Sequence, residues 1–241
     1  MPTPQSSPSA LPSFWEDLIN IFIQPADVFR RRQHTSVWPP LLFVAISIGV
    51  IFAVTYSTLQ PLFDAEFSRN AARVIAKNPQ VTPEMMDKGR QFSEVFTRYG
   101  IGGIMLVTMF IVGCVAWLVG QLVGSKQTFH AALVVAAWAY VPRVLGAVLG
   151  GVQGLLMDPS TLTSQMSISF SPARFLDPDA SNPLLYQLYG RLDLITLWVT
   201  VLLAVGLYAT GKISKQRAIV FGMLIWVVGS LPALRQAYLL M

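Results

Sequence analysis

An arginine directly after a proline, inside a long apolar stretch, is the most costly arrangement in this chain. Pro142-Arg143 falls within Phe129–Leu156, and an arginine near mid-bilayer costs about 2.5–3.5 kcal/mol on insertion scales. Counting from Thr128, Arg143 lies about 22 Å along a helix. Asp193 opens another apolar stretch at a comparable depth. Two chemistries fit. Arg143 and Asp193 pair, neutralising each other and setting the register of two helices, or Arg143 snorkels to headgroups while Asp193 caps its helix. The sequence leaves both open.

Other reactive side chains are sparse. Cys114, the single cysteine, lies in an apolar run and reads as a small core residue. His34 and His130 stand far from any plausible metal partner. There is no H-E-x-x-H and no G-x-S-x-G, and Gly211-Lys212-Ile213 lacks the spacing of a phosphate loop. Catalysis, a cofactor and a metal are therefore not expected. The net charge of +5 does not imply nucleic acid, because no Lys/Arg cluster carries interleaved aromatics.

The elements that must hold these residues are apolar helices. Five stretches, Trp38–Leu59, Gly100–Val123, Phe129–Leu156, Ile195–Thr210 and Ala218–Ala233, approach the ~17–25 residues needed to cross a bilayer. Only 12% of the chain is charged, about half the usual share of a soluble domain. The runs are continuously apolar, where a barrel would alternate, so helices are expected. The fold class is all-α, a polytopic bundle of five transmembrane helices with an N-terminal amphipathic interfacial helix.

That helix begins at Ser13-Phe14-Trp15-Glu16, a capping box. Phe14, Trp15, Leu18, Ile19, Phe22 and Ile23 fall on one face, with Glu16, Asp17, Asn20 and Gln24 on the other, and Pro25 ends it. Arg30, Arg31 and Arg32 follow and are expected to reach lipid headgroups. Residues 1–12 read as a disordered cytoplasmic tail without a signal peptide, 13–36 as the interfacial segment and 37–241 as the membrane domain. The Arg triplet, Lys126, and Lys212, Lys215 and Arg217 fall on one side if there are five crossings. The positive-inside rule makes that side cytoplasmic and puts the C-terminus outside.

Two long loops, 61–99 and 157–193, face the other way. The first holds six basic and five acidic residues. Phe63, Phe67, Ala71 and Ile75 have helical spacing, and Thr82-Pro83-Glu84 starts a second helix able to run into span two. In the third span Pro142 predicts a kink. Beyond it Gly146, Gly150 and Gly154 share one face and admit close helix packing, with Ala132 and Ala136 upstream.

With these residues in place, the chain resembles the Ypt-interacting-protein (Yip) domain family. The resemblance rests on the amphipathic helix ending in Gln24-Pro25, on Ala137-Trp138-Ala139-Tyr140-Val141-Pro142, and on Leu192-Asp193-Leu194-Ile195-Thr196-Leu197-Trp198. It covers most of Phe14–Leu240. It implies a non-enzymatic scaffold or adaptor, and the short N-terminal region and long first outer loop point to a bacterial-type member in an inner membrane. Bacterial relatives look like accessories to systems such as ABC-type exporters. The expected partners are membrane lipids and another integral membrane protein or a second copy, with the glycine stripe and the amphipathic helix as contact surfaces. The competing expectation is a small-solute transporter or channel gated at Pro142/Arg143.

Overall fold

The computed structural model describes residues 12–77 and 80–240; the expected tail, apart from Pro12, lies outside them. Among the described residues the regular structure is helical: α1 (Phe14–Ile23), α2 (Pro25–Arg32), α3 (Trp38–Lys77), α4 (Pro83–Leu122), α5 (Phe129–Ala139), α6 (Val141–Leu156), α7 (Pro183–Gly190), α8 (Leu194–Thr210) and α9 (Lys215–Leu240), with three short 3-10 turns between α6 and α7. Among the described residues four rods are long and apolar enough to cross a membrane: α3, α4, α5 running into α6, and α9. The pair α7–α8, bent by 57°, is a fifth candidate if it is taken as one broken span.

α5 sits at the centre. Its sequence, FHAALVVAAWA, is apolar all round and rich in alanine, which suits a helix with neighbours on every side. Eight of its eleven residues are buried, and α2, α3, α4 and α8 pack around it. The ends of these helices tie together at the basic side. Lys126 N donates to the Gly211 carbonyl (2.9 Å), Gln127 Nε2 donates to Thr210 Oγ1 (2.6 Å), and a His130 ring nitrogen meets the Thr35 carbonyl at 2.9 Å. The three groups of basic residues thus share one end of the molecule.

α3 and α4 differ from the expected short spans. Each has 40 residues, about 60 Å of helix, twice the ~30 Å of hydrocarbon. α3 continues unbroken through Pro61, where the sequence places the start of a loop. The missing proline donor removes one bond from the ladder, a loss membrane helices tolerate. The amphipathic segment Phe63–Ile75 is therefore the upper half of α3. α4 starts where Thr82 predicts, with Thr82 Oγ1 accepting from Met85 N. Together they form a helical hairpin that projects beyond the far end.

Candidate functional site

Three polar centres interrupt the apolar bundle. The first lies in the α1–α2 hairpin. The capping box forms with both halves present: Ser13 N donates to Glu16 Oε2 (2.6 Å) and Glu16 N to Ser13 Oγ (3.2 Å). Pro25 ends α1 and starts α2 at its first turn, folding one helix back on the other. This brings Arg31 and Arg32 onto Asp17, which is fully buried; Arg32 Nε donates to Asp17 Oδ2 at 2.6 Å, and Arg31 bonds the other oxygen through Nε at 2.8 Å. The sequence reading put Asp17 on a polar outer face, and the structure corrects that. It also gives all three arginines an acid within the chain. Arg30 pairs with Asp27, both about half exposed, so of the three it is the arginine most open to the surroundings.

α1 is set well into the bundle. Phe14 packs on Trp138 (ring centroids 5.4 Å) and Phe43, and Phe22 packs on Trp198 (5.2 Å). Trp138 lies about 15 Å along its helix from Thr128. Meanwhile Trp15, Ile19 and Ile23 remain exposed. The helix therefore has an inner apolar face toward protein and an outer one suited to lipid.

The second centre is the break in the third span. α5 ends at Ala139 and α6 begins at Val141, with Pro142 in its first turn. Arg143 stacks on the Tyr140 ring, 5.1 Å from its centroid, a cation–π contact. It does not ion-pair with Asp193. Both Asp193 oxygens are taken: Oδ1 accepts from Thr196 N (2.9 Å) as the α8 cap, and Oδ2 accepts from Phe170 N (3.0 Å). The two residues do line one cavity of about 160 Å³, together with Gly146 and Ile195. The glycine stripe packs inside the chain. A Cβ at Gly146 would meet Ile195 at 3.1 Å, one at Gly150 would meet Ile168, and one at Gly154 would overlap Leu59.

The third centre was not anticipated. Segment 157–193 folds onto the base of the projecting hairpin. Gln165 N donates to Glu66 Oε1 (2.7 Å), Arg69 donates to the Thr163 carbonyl, and Ser164 bonds the Tyr186 hydroxyl (2.6 Å). Burial pushes the Glu66 carboxyl above its ordinary range; the Gln165 amide and Arg69 pull the other way but do not prevail. A polar cleft of about 280 Å³ lies beside it, lined by Glu66, Arg69, Arg73 and Gln187 among others. The only sequence signal was the charge density of 61–99.

Residues 19–234 match the Yip1 domain, nearly the whole bundle. The chain belongs to the Yip1 domain family. The Yip1 match opens within α1, just past Asp17, and takes in both arginines that hold it. The membrane protein YknW of Bacillus subtilis (strain 168) is 26% identical over 214 residues, spanning 86% of each chain. No solved structure matches. Family, fold and relative agree that this Yip1 domain protein is a polytopic membrane protein.

Proposed function

We propose that the protein is a non-enzymatic adaptor of a bacterial cytoplasmic membrane, with its N-terminus inside and C-terminus outside, that binds another integral membrane complex. One observation carries this reading. The projecting part of α4 bears Glu84, Asp87, Lys88, Arg90 and Glu94 and so belongs in water, yet Met85, Phe92, Val95, Phe96 and Tyr99 on it are 50–72% exposed. A contiguous apolar face in water marks an interaction surface. The glycine stripe and the inner face of α1, expected as contact surfaces, are occupied by the chain's own packing. The hairpin takes their place.

An ABC-type exporter is the partner class that the family resemblance suggests; a second copy is the other candidate. A photo-cross-linker at Val95 should trap one reproducible partner in membranes, and Phe92→Ser with Phe96→Ser should lose it while the protein still inserts. Recovery of uncross-linked monomer alone would count decisively against the adaptor. The cavity beside Arg143 supports the competing transporter reading. Below it, however, Val134, Val135, Trp138, Leu202 and Leu203 fill the core. That reading requires solute flux in proteoliposomes abolished by Arg143→Ala.

A further inference from the structure

An open groove runs between α8 and α9 on the side of the bundle, with a volume of about 1010 Å³. Its walls are apolar: Val201, Ala204 and Val205 on α8, Ile219, Met223 and Val227 on α9. Ala26, next to the α1–α2 corner, contributes to its lining. Ile219, Met223 and Val201 are 57–63% exposed, so they face whatever surrounds the bundle. In a bilayer that medium is hydrocarbon, and the question is what form of it fits.

The length of the groove decides. It runs from Lys215 to Val227, about 18 Å of helix, about three-fifths of the ~30 Å hydrocarbon and a little more than one leaflet's share of it. It ends at Trp226 and Val227; Trp226 Nε1 donates to the Arg191 carbonyl at 3.1 Å, and α7 packs on α9. A partner's transmembrane helix would need a seat along the full thickness. An acyl chain from the leaflet at the basic end needs only this depth.

The mouth selects the headgroup. Lys215 lines it at the first turn of α9, where backbone N–H groups also favour an anion, and Lys212 is exposed three residues before. Neither lysine takes part in an ion pair among the described residues. Arg217 is held beside them, its guanidinium 3.5 Å from the Val123 carbonyl. Basic mouths between membrane helices on this side suit anionic phospholipid headgroups.

We infer that the α8–α9 groove is a binding site for one anionic glycerophospholipid of the leaflet at the basic end, its acyl chain along Val201 and Met223 and its phosphate at Lys212 and Lys215. This site is independent of the adaptor reading, since it lies at the opposite end from the projecting hairpin.

The test is native mass spectrometry of the full chain in detergent, titrated with phosphatidylglycerol or phosphatidylcholine. Retention of one phosphatidylglycerol in preference to phosphatidylcholine is expected. Lys212→Gln with Lys215→Gln should weaken the phosphatidylglycerol complex by about 25-fold, roughly fivefold per cation, and leave phosphatidylcholine unchanged. Val201→Trp, at an exposed groove position, should remove the bound lipid; Met223→Trp serves if that variant fails to elute as a monodisperse species. Equal retention of the two lipids, wild-type retention by the groove-filled variant, or a dimer with the groove covered would each overturn the assignment.

Discussion

Removing the Asp17 carboxylate would leave Arg31 and Arg32 facing each other with no anion between them. Stripping one partner from a buried ion pair costs about 3–5 kcal/mol. Since both arginines keep some exposure, 19% and 16%, the lower end applies. Asp17→Asn should therefore destabilise the protein by about 3 kcal/mol in a thermal scan in detergent. Asp27→Asn breaks only a half-exposed pair and should change it by less than about 1 kcal/mol. Equal effects would show that α1–α2 is not held by the buried acid. The pairing was within reach of the sequence: residues 17 and 31–32 lie symmetrically about the Gln24-Pro25 corner. A helical wheel hides it, because it places Asp17 with Glu16 and Asn20 and says nothing of α2. Arg143 and Asp193 show the reverse case. Their comparable depth was legible, but Phe170 N, the donor that occupies the second aspartate oxygen, comes from a loop 23 residues away in the chain. Glu66 adds a pH dependence. Its folded pKa is raised, chiefly by burial, from an ordinary value of 4.5. Its favourable contribution is thus complete below that value and is lost as pH rises through the raised one. Glu66→Gln should flatten the stability profile across that window and raise Tm relative to wild type above it; a profile identical to wild type would show that the buried carboxyl does not contribute.

At the level of helices, a close approach of α3 and α4 is made by glycines that carry no regular spacing. A Cβ on Gly102 would lie 2.9 Å from the Ala45 carbonyl oxygen, and one on Gly49 would lie 3.5 Å from the Gly102 Cα. Backbone on both sides leaves nothing flexible to yield. Gly103, the next residue, meets nothing within 4 Å. Gly102→Leu should thus cost about 1–3 kcal/mol by overpacking, and Gly103→Leu should be near neutral by the same thermal scan. If the two behave alike, α3 and α4 do not cross there. Gly146, Gly150 and Gly154 drew notice in the sequence because a spacing of four is visible within one helix. A contact made from one glycine on each of two helices has no such periodic trace. Pro61 was opaque for a related reason. In water a mid-helix proline ends a helix, whereas here the helix on either side is held by α4 and continues.

On the scale of the whole molecule, the path of the chain follows from which ends meet. The start of α3, the end of α4, the start of α5, the end of α8 and the start of α9 converge at the basic end. The α6–α7 segment and the hairpin tip lie at the other. Five crossings, with the bent α7–α8 pair counted as one, would connect them and would leave the start of α3 and the end of α9 on opposite sides. Charge then sets the sign. Lys126, Lys212, Lys215 and Arg217 stand in short turns, where the positive-inside rule has most weight, while the charges of the projecting hairpin nearly cancel and exert little pull. The basic end should be cytoplasmic. In a Cys114→Ser background, Lys88→Cys on the hairpin should react with a membrane-impermeant maleimide in intact cells. Gln216→Cys at the start of α9 should react only after permeabilisation. The reverse pattern would invert the molecule in the membrane. Labelling of both positions from outside would mean that the hairpin and the α8–α9 turn share a side, an even number of crossings between them, and a bundle assembled differently from the one described.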